Sequence, residues 1–292
     1  MNGNTLPAGK TLEPGLYLIA TPIGAARDIT LRALDILATA QVIAAEDTRS
    51  LRHLMEIHGI PLGDRPLISY HDHNADSARP RLMAALAAGK SVVYASEAGT
   101  PLVADPGYQL ARAAVAEGYR LISAPGPSAV LAALTMSGLP SDRFLFAGFP
   151  PNAKGARATF LRELAPIPAT LILYESPKRL GALLAEAAAQ LGETRQAAIC
   201  RELTKRFEEV RRGTLGELAE AFAGAPPKGE IVVLIDRARS RAATQEDVDA
   251  ALADALSRLS VKDAAAEIAA ALGLPKREVY QRALDLGRKA RE

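Results

Sequence analysis

The sequence has a single cysteine, Cys200, in 292 residues. One cysteine excludes an intrachain disulfide and a cysteine-based metal cluster, and it fits a reducing compartment. No apolar run reaches the roughly 18 residues that a membrane-spanning helix needs. The first ten residues, MNGNTLPAGK, lack the apolar stretch of a signal peptide. We therefore expect a soluble, cytoplasmic protein without a membrane association.

Two common nucleotide-binding motifs are also missing. Neither the GxGxxG loop of dinucleotide-binding folds nor the GxxxxGK[ST] phosphate-binding loop occurs. The net charge of +2 is too small to indicate a nucleic-acid partner by itself. Residues 195–212 and 256–292 each carry a local excess of three positive charges. Solvated helical faces are the alternative explanation for both segments.

The sequence does contain a repeated alternation of apolar runs, loops marked by glycine or proline, and stretches with helical apolar spacing. Hydrophobic residues make up 49% of the chain, enough for an ordinary globular core. The alternation predicts an α/β protein with mainly parallel sheets covered on both faces. The predicted strands are Leu16–Ala20, Val42–Ala45, Leu67–Tyr70, Ser91–Ser96, Arg120–Ala124, Phe144–Phe149, Thr170–Tyr174, Ala197–Cys200 and Ile231–Ile235.

The chain is predicted to have three parts. An N-terminal α/β domain covers residues 14–125, and a second α/β domain covers residues 126–238. The tail, residues 243–292, is alanine-rich and helical, and two of its helical patterns are joined through Gly273–Pro275 in the manner of a helix–turn–helix. The tail either packs on a domain or contacts nucleic acid.

Loops rich in glycine and proline follow three of the predicted strands: Thr21–Gly24 (TPIG), Glu97–Gly107 (EAGTPLVADPG) and Pro125–Ala129 (PGPSA). In parallel α/β sheets, ligands bind at the carboxyl ends of strands. Glycine admits a close backbone approach, and proline fixes the loop. Backbone N–H groups in such loops can hold a carboxylate or the polar edge of a nucleoside. We therefore expect the three loops to form one ligand site.

These loops occur with further motifs in a fixed order: AEDTR (Ala45–Arg49), SYHDHN (Ser69–Asn74), SGLPSDRF (Ser137–Phe144), YES..RL (Tyr174–Leu180) and RELTK (Arg201–Lys205). The combination resembles the branch of the tetrapyrrole-methylase superfamily that methylates small-subunit ribosomal RNA. The resemblance extends from about Leu16 to Asp236 and continues weakly through the tail. The chain departs from the family at Glu97, where Asp is usual, and at Ala25 and Ala26, where Asn-Leu is usual.

The resemblance implies two α/β domains with S-adenosylmethionine in the cleft between them, and a homodimer. It also implies methylation of the 2′-hydroxyl of a cytidine in the decoding region of 16S ribosomal RNA. On the loops and on the end of one second-domain strand, the residues expected to bind the cofactor are Pro22, Gly24, Ser96, Glu97, Ala98, Gly99, Thr100, Pro101, Asp105, Gly126, Pro127, Ser128, Ala129 and Tyr174.

Methyl transfer to a ribose hydroxyl requires alignment of the reacting atoms and a base that takes the hydroxyl proton. Glu46, Asp47 and Arg49 follow an apolar strand, where a carboxylate could act as this base. The alternative is that Asp47 caps the next helix and pairs with Arg49. His71 is a further candidate base, because its ordinary pKa suits neutral pH. Our predicted catalytic residues are Glu46, Asp47, Arg49 and His71.

Segment His71–Asn74 (HDHN) carries two histidines that could face the same side of an extended strand as a metal pair. No third ligand is evident, so we expect no metal and assign Asp72, His73 and Asn74 to RNA contact. In the second domain, charged residues end two strands, where they either contact phosphates or form salt bridges at strand–helix junctions. The predicted RNA contacts among them are Glu175, Arg179, Arg201, Glu202 and Lys205.

Ribose methylation of 16S ribosomal RNA is thus the predicted function, with the small ribosomal subunit as the partner. One alternative is methylation of a tetrapyrrole or another small molecule, because the fold alone does not separate the two. A second alternative is a ribosome-binding protein without catalysis. The complete set of glycine–proline loops argues against it.

Overall fold

The strands form two five-stranded sheets, and helices follow them. The computed structural model describes residues 11–224, 226–238, 245–272 and 274–289. The first ten residues, residues 243–244 of the predicted tail and Gly273 of its predicted turn lie outside the described residues. The chain divides into two units, Met1–Arg237 and Ala238–Glu292.

The first sheet is entirely parallel. Its strands are β1 (Gly15–Ile19), β2 (Val42–Ala45), β3 (Leu67–Ser69), β4 (Ser91–Ala95) and β5 (Leu121–Ala124). They lie in the order β3-β2-β4-β1-β5, which places β1 and β4 next to each other near the centre. All residues of β1, β2 and β4 are buried, as expected for strands covered on both faces.

Four helices cover this sheet: α1 (Leu31–Thr39), α2 (Thr48–Ile57), α3 (Ala75–Ala87) and α4 (Gly107–Ala116). Leu37 of α1 and Met55 of α2 pack on one face of the sheet. Leu82 of α3 and Leu110 of α4 pack on the other. The Thr30 hydroxyl caps α1 by accepting a 3.1 Å hydrogen bond from the Ala33 N–H.

The second sheet is mixed, so the prediction of mainly parallel sheets is wrong here. Its strands are β6 (Phe144–Gly148), β7 (Thr170–Glu175), β8 (Gln196–Arg201), β9 (Glu209–Thr214) and β10 (Ile231–Ile235), in the order β6-β7-β10-β8-β9. Only β6 and β7 are parallel, whereas β10 runs antiparallel to both of its neighbours and β8 is antiparallel to β9. A short hairpin can join β8 to β9, because an antiparallel pair needs no helical crossover.

Helices also cover both faces of the second sheet: α5 (Ala129–Ser137) on one face, and α6 (Lys154–Leu164), α7 (Leu180–Leu191) and α8 (Leu215–Ala221) on the other. The cores contain Leu134 of α5 and Leu161, Leu184 and Leu215 of the opposite helices. All predicted strands form within one residue of their expected ends, and β9 was not predicted.

The second unit contains α9 (Gln245–Leu256), α10 (Val261–Leu272) and α11 (Lys276–Lys289). Leu252, Ile268 and Val279, one from each helix, share a small core. The Arg282 Nε donates to Asp249 Oδ1 at 2.6 Å, which ties α11 to α9. The two α/β domains followed by a helical domain confirm the predicted fold class.

Within the described residues, no helix is long and apolar enough to cross a membrane. Over the same part of the chain, no group of three or more histidine, cysteine, aspartate or glutamate side chains could hold a metal ion.

Candidate active site

The three glycine–proline loops meet at the carboxyl edge of the first sheet. Thr21 and Gly99 pair as a two-residue antiparallel bridge, with N···O distances of 3.0 and 2.9 Å. The Thr100 hydroxyl donates to the Pro127 carbonyl at 2.9 Å, which joins the second loop to the third. The structure therefore brings together the three loops that the sequence singles out.

Buried hydroxyl groups hold these loops in place. The Ser96 Oγ donates to the Gly99 carbonyl at 2.6 Å, and the Thr21 Oγ1 donates to the Ser96 carbonyl at 3.1 Å. Both side chains are almost fully buried. Gly99 has φ +81, a backbone conformation that residues other than glycine rarely adopt. Because these hydroxyls donate hydrogen bonds to loop carbonyls, Thr21 and Ser96 stabilise the loop conformation from the buried side.

A cavity of about 370 Å³ lies between the glycine–proline loops and the second sheet, within the size range of small-molecule sites. The wall formed by these loops contains Ile23, Ala98 and Ala129. Most of the lining is apolar, which suits the face of an aromatic ring. The second-domain wall is formed by Phe149, Tyr174, Glu175, Ser176, Pro177, Leu203, Gly229, Glu230, Ile231 and Val232.

An aromatic cluster forms part of the second-domain wall. The Tyr174 ring packs edge-on against Phe146 and Phe149, with centroid distances of 4.8 and 5.5 Å. Burial raises the pKa of the Tyr174 phenol, so the group stays neutral at physiological pH. Phe149 remains exposed at the margin of the cavity.

The predicted cofactor residues are distributed over more than this one cavity. Ala98, Ala129 and Tyr174 line it. Pro22, Gly24, Ser96 and Glu97 line a recess of about 230 Å³ together with Asp47, and Gly126, Pro127 and Ser128 line another of about 300 Å³. Gly99, Thr100 and Asp105 form hydrogen bonds within and between the loops. Pro101 is buried beside them.

Asp105 organises the loop that follows β4. Its Oδ1 accepts hydrogen bonds from the Tyr94 hydroxyl at 2.9 Å, the Gly107 N–H at 2.8 Å and the Leu102 N–H at 3.2 Å. These bonds hold a loop in which Leu102 and Ala104 have positive φ values of +70 and +56. Such strained conformations persist only where the surroundings over-determine them.

Glu46 lies half-buried at the end of β2, where several carboxylates converge. Burial, followed by the charges of Asp105 and Glu97, raises the pKa of Glu46. The Glu97 backbone N–H opposes part of this effect, while the charge of Asp72 adds to it. A carboxyl group with a raised pKa is a better proton acceptor than an ordinary one.

Asp47 and Arg49 form the helix cap that the sequence offered as an alternative. The Asp47 Oδ1 accepts from the backbone N–H groups of Arg49 at 2.8 Å and Ser50 at 3.4 Å, at the start of α2. The Arg49 guanidinium pairs with Asp47 at 3.1 Å, and this hydrogen bond lowers the pKa of the Asp47 carboxyl. Capping explains the place of Asp47, while the Arg49 side chain is almost fully exposed.

The His71–Asn74 segment forms a turn before α3. The Asn74 side chain accepts from the His71 N–H at 2.9 Å and donates to the Ser69 carbonyl at 3.0 Å. The rings of His71 and His73 lie 6.0 Å apart, and Asp72 and His73 are exposed. The His71 Nδ1 is buried without a hydrogen-bond partner.

The second-domain residues predicted to contact RNA all take part in ion pairs. Glu175 is buried and pairs with Arg179 at 3.1 Å, and burial raises the pKa of its carboxyl group. Arg201 pairs with Glu209 at 2.9 Å. Lys205 bridges Glu202 at 3.0 Å and Glu230 at 2.8 Å. These contacts agree with the salt-bridged junctions considered as the alternative.

The sequence reasoning missed the cavity wall at the beginning of β10. In a parallel sheet, ligands are expected at the carboxyl ends of the strands, so the sequence did not predict a wall at the amino end of β10. Because β10 is antiparallel to β7, Ile231 lies opposite Glu175, and the amino end of β10 faces the cleft. Gly229 before β10 is a turn signal that could have drawn attention to this wall.

Comparison with protein families identifies the class first. Residues 15–219 match the family Tetrapyrrole (Corrin/Porphyrin) Methylases, and residues 242–287 match the RsmI C-terminal HTH domain. The first match covers the first sheet and every strand of the second sheet except β10. Together with the two-sheet fold and its interlocked loops, these matches define a methylase of the tetrapyrrole class with an added helical domain.

Comparison with curated proteins identifies the branch. A protein of Mesorhizobium japonicum named Ribosomal RNA small subunit methyltransferase I is 51% identical over 287 residues, covering 98% of this chain and 97% of that protein. A protein of the same name from Escherichia coli O157:H7 is 40% identical, covering 92% of this chain and 94% of that protein. The chain belongs to the ribosomal RNA small subunit methyltransferase I family, within the tetrapyrrole methylases.

Solved structures support the fold. A uroporphyrin-III C-methyltransferase from Thermus thermophilus, complexed with S-adenosyl homocysteine, aligns with a TM-score of 0.53 at 21% identity, covering 75% of this chain and 96% of that chain. A cobalt precorrin-4 methyltransferase aligns with a TM-score of 0.57 at 18% identity, covering 76% and 94%. At these identities the likeness concerns the fold alone.

Proposed function

We propose that this protein transfers a methyl group from S-adenosylmethionine to the 2′-hydroxyl of a cytidine in the decoding region of 16S ribosomal RNA. The observation that carries the proposal is the set of three interlocked loops that form one wall of an apolar cavity between the two sheets. The family supplies the substrate class, because the relatives reported above are named for ribosomal RNA of the small subunit.

The residues present fit S-adenosylmethionine. The cavity has the size of a small-molecule site, and Ile23, Tyr174 and Val232 offer apolar surface to an adenine ring. The loops around Gly99 and Gly126 present backbone at small residues, as a close approach to a nucleoside requires. The cofactor supplies an activated methyl group on a sulfonium. We propose that Ala98, Ala129 and Tyr174 contact it directly and that Gly99, Thr100 and Pro127 shape its wall.

Glu46 is the residue that we propose as the proton acceptor for the ribose hydroxyl. Its raised pKa has a structural cause in burial and in the carboxylates of Asp105 and Glu97. The Asp47 carboxylate caps α2. Its hydrogen bond with Arg49 lowers the pKa of the Asp47 carboxyl, which makes Asp47 a weaker base than Glu46. His71 stays a predicted alternative, with its Nδ1 buried and unpartnered.

The first-domain edge beside Glu46 is the RNA-facing surface that we propose. Exposed Arg49, Asp72 and His73 border it, and Asn74 fixes their turn. Arginine at such a position can contact phosphate or ribose oxygens. Glu175, Arg179, Arg201, Glu202 and Lys205 stay predicted RNA contacts, although each already has an ionic partner.

The test of the function is transfer of labelled methyl from S-adenosylmethionine to isolated small ribosomal subunits and, in parallel, to a tetrapyrrole. We expect label in the RNA and none in the tetrapyrrole. Label in the tetrapyrrole alone would establish the small-molecule alternative. No transfer to either acceptor, together with binding to subunits, would favour a ribosome-binding protein without catalysis.

The helical unit gives a separate prediction about salt dependence. Lys276 and Arg277 are exposed at the start of α11, whereas Arg282 is paired with Asp249 and belongs to the packing of the unit. If α11 contacts the RNA backbone, replacing Lys276 and Arg277 by Gln should weaken binding to small subunits. The log–log dependence on salt should become shallower by roughly 0.7 to 0.9 for each lost phosphate contact.

The matched control for this pair is Arg258→Gln in the same unit. Arg258 already pairs with Asp254 and Glu267, so its replacement should leave the salt slope unchanged. A native slope in the double variant would mean that the charges at Lys276 and Arg277 are merely solvated.

We also propose a cytoplasmic homodimer, the state that the family resemblance implies. The support in the structure is exposed apolar surface at and near an edge strand: Leu121 on β5 is 39% exposed and Val115 on α4 is 59% exposed. Uncovered edge strands and apolar surface favour association. Sedimentation equilibrium should give twice the chain mass, and Leu121→Lys with Val115→Lys should shift it to the monomer. A native chain that sediments as a monomer contradicts this proposal.

A further inference from the structure

The hairpin loop between β8 and β9, residues Glu202–Glu208, has a strained backbone. Glu202 and Thr204 both lie in the left-handed region, with φ values of +52 and +62. This conformation is uncommon for any residue with a side chain and an outlier for a β-branched one such as threonine. Strained backbone of this kind clusters at functional sites, where the surrounding contacts hold it in place.

Several contacts hold this loop. The Thr204 N–H donates to Glu208 Oε2 at 2.7 Å within the loop. The Glu202 Oε1 accepts from the Lys205 Nζ and from the Glu230 N–H, both at 3.0 Å. The Glu202 N–H in turn donates to the Glu230 carbonyl at 3.0 Å. The loop is therefore fastened to the segment before β10, which forms one wall of the cavity.

The same loop also reaches the opposite wall of the cavity. The Thr204 hydroxyl accepts a hydrogen bond from the Ala25 N–H at 3.0 Å, directly after the TPIG loop of the first domain. A Cβ on Gly24 would lie 2.6 Å from that hydroxyl and 3.0 Å from the Leu203 carbonyl, so the two backbones pack without spare room. Neighbouring Ile23 and Leu203 both line the cavity.

The loop also packs tightly against the second-domain wall, where the Gly229 backbone contacts the Glu202 side chain. Gly229 has φ +100, and a Cβ there would lie 2.4 Å from the Glu202 side chain. Gly229 and Glu230 line the cavity. The loop thus contacts both walls: Glu202 holds the wall before β10, and Thr204 holds the TPIG loop.

We propose that Thr204 is a positioning residue for the methyl donor. Through the Ala25 N–H, Thr204 fixes the distance between the TPIG loop and the second-domain wall, and with it the width of the cofactor cavity. This role rests on the proposed function and assigns Thr204 to cofactor geometry. Methyl transfer depends mainly on alignment of the reacting atoms. A small displacement of the TPIG loop should therefore affect both the affinity for the cofactor and the rate of transfer.

The test compares Thr204→Val with Thr204→Ser. Valine keeps the shape but cannot accept the hydrogen bond, whereas serine retains the hydroxyl. We expect Thr204→Val to weaken calorimetric binding of S-adenosylhomocysteine by about fivefold, the change that one hydrogen bond of ordinary strength carries. The KM for S-adenosylmethionine should rise similarly, the KM for small subunits should stay native, and serine should restore both values.

Two further variants make the comparison decisive. Thr159→Val makes the same chemical change at an exposed site on α6 and should have no effect. Thr204→Ala removes the acceptor without a β-branch and should repeat the loss even if valine perturbs the loop. Native affinity in Thr204→Val and Thr204→Ala, or an equal rise in the KM for subunits, would overturn the inference. Failure of the native chain to bind S-adenosylhomocysteine would instead overturn the proposed function.

Discussion

Replacing Glu46 by Gln should lower the rate of methyl transfer at least 10²-fold, the lower end of the contribution of a general base. Glutamine keeps the size of the side chain and a carbonyl oxygen that can accept from the Glu97 N–H, but it cannot take a proton. Affinity for S-adenosylhomocysteine should stay close to native, because Glu46 does not line the cofactor cavity. Single-turnover transfer to small subunits measures the effect.

The pH dependence gives an independent check on Glu46. Burial and the nearby carboxylates raise its pKa, and only the deprotonated form can act as a base. The rate of the native protein should therefore fall as the pH is lowered through this raised pKa. The Glu46→Gln protein should lack that limb of the profile.

The same shift predicts a gain in stability from Glu46→Gln. A carboxyl group with a folded pKa above its unfolded pKa favours the folded state only while it is protonated. That contribution is lost as the pH rises through the interval between the two values. At pH 7 the charged Glu46 therefore destabilises the fold, and Glu46→Gln should raise the melting temperature.

Asp47→Asn is the matched control, because asparagine caps helices about as well as aspartate. It should retain both the fold and most of the transfer activity. If Glu46→Gln transfers methyl at a near-native rate, Glu46 is not the base, and His71→Ala becomes the decisive variant. A large loss in Asp47→Asn with native behaviour in Glu46→Gln would move the role to Asp47.

Gly99→Val should abolish measurable binding of S-adenosylhomocysteine while leaving the far-ultraviolet circular dichroism native. Gly99 has φ +81, and a Cβ there would lie 3.3 Å from the Ile23 Cγ2 in the cavity wall. A β-branched residue is an outlier in this region, so the backbone must shift. The shift would break the two hydrogen bonds between Gly99 and Thr21 and open the joined loops.

Gly118→Val separates this effect from backbone strain in general. Gly118 has a similar φ of +78 in the turn before β5, and a Cβ there meets nothing within 4 Å. It should lose stability but bind the cofactor product normally. Undiminished binding in Gly99→Val would mean that the three loops do not form the cofactor site.

Much of the fold was predictable because, in most elements, the spacing of apolar residues and the positions of turn residues indicate the same helix or strand. The all-buried runs GLYLI, VIAA and SVVYA became the central strands of the first sheet. Strand β9, EVRRGT, escaped prediction because it is a partly exposed edge strand with two consecutive arginines. Apolar patterning carries little signal at such an edge.

The orientation of the second sheet was not readable from composition. Runs such as Ile231–Ile235 are equally apolar in parallel and antiparallel settings, and the direction depends on the connections. That error hid Gly229 and Glu230, which line the cavity from the amino end of β10. The converging loops were predictable because glycine and proline mark them directly.

Candidate catalytic residues were harder to separate by sequence than the loops were. Glu46 and Asp47 are adjacent carboxylates at the same strand end, yet one is half-buried among other acids and the other caps a helix beside Arg49. Only the surroundings in three dimensions distinguish their pKa shifts. The same holds for Thr204, whose hydroxyl meets a backbone N–H that is 179 positions away in sequence.

The proposed function is tested most directly by mass mapping of 16S ribosomal RNA after incubation of the purified chain with S-adenosylmethionine and unmodified small subunits. Nuclease digestion followed by mass spectrometry locates the added methyl group and identifies the nucleoside. We expect one new 2′-O-methylcytidine in the decoding region, formed at least 10²-fold more slowly when Glu46→Gln replaces the native protein. A methyl group on a base, on another region of the RNA, or on no RNA nucleoside at all would contradict it.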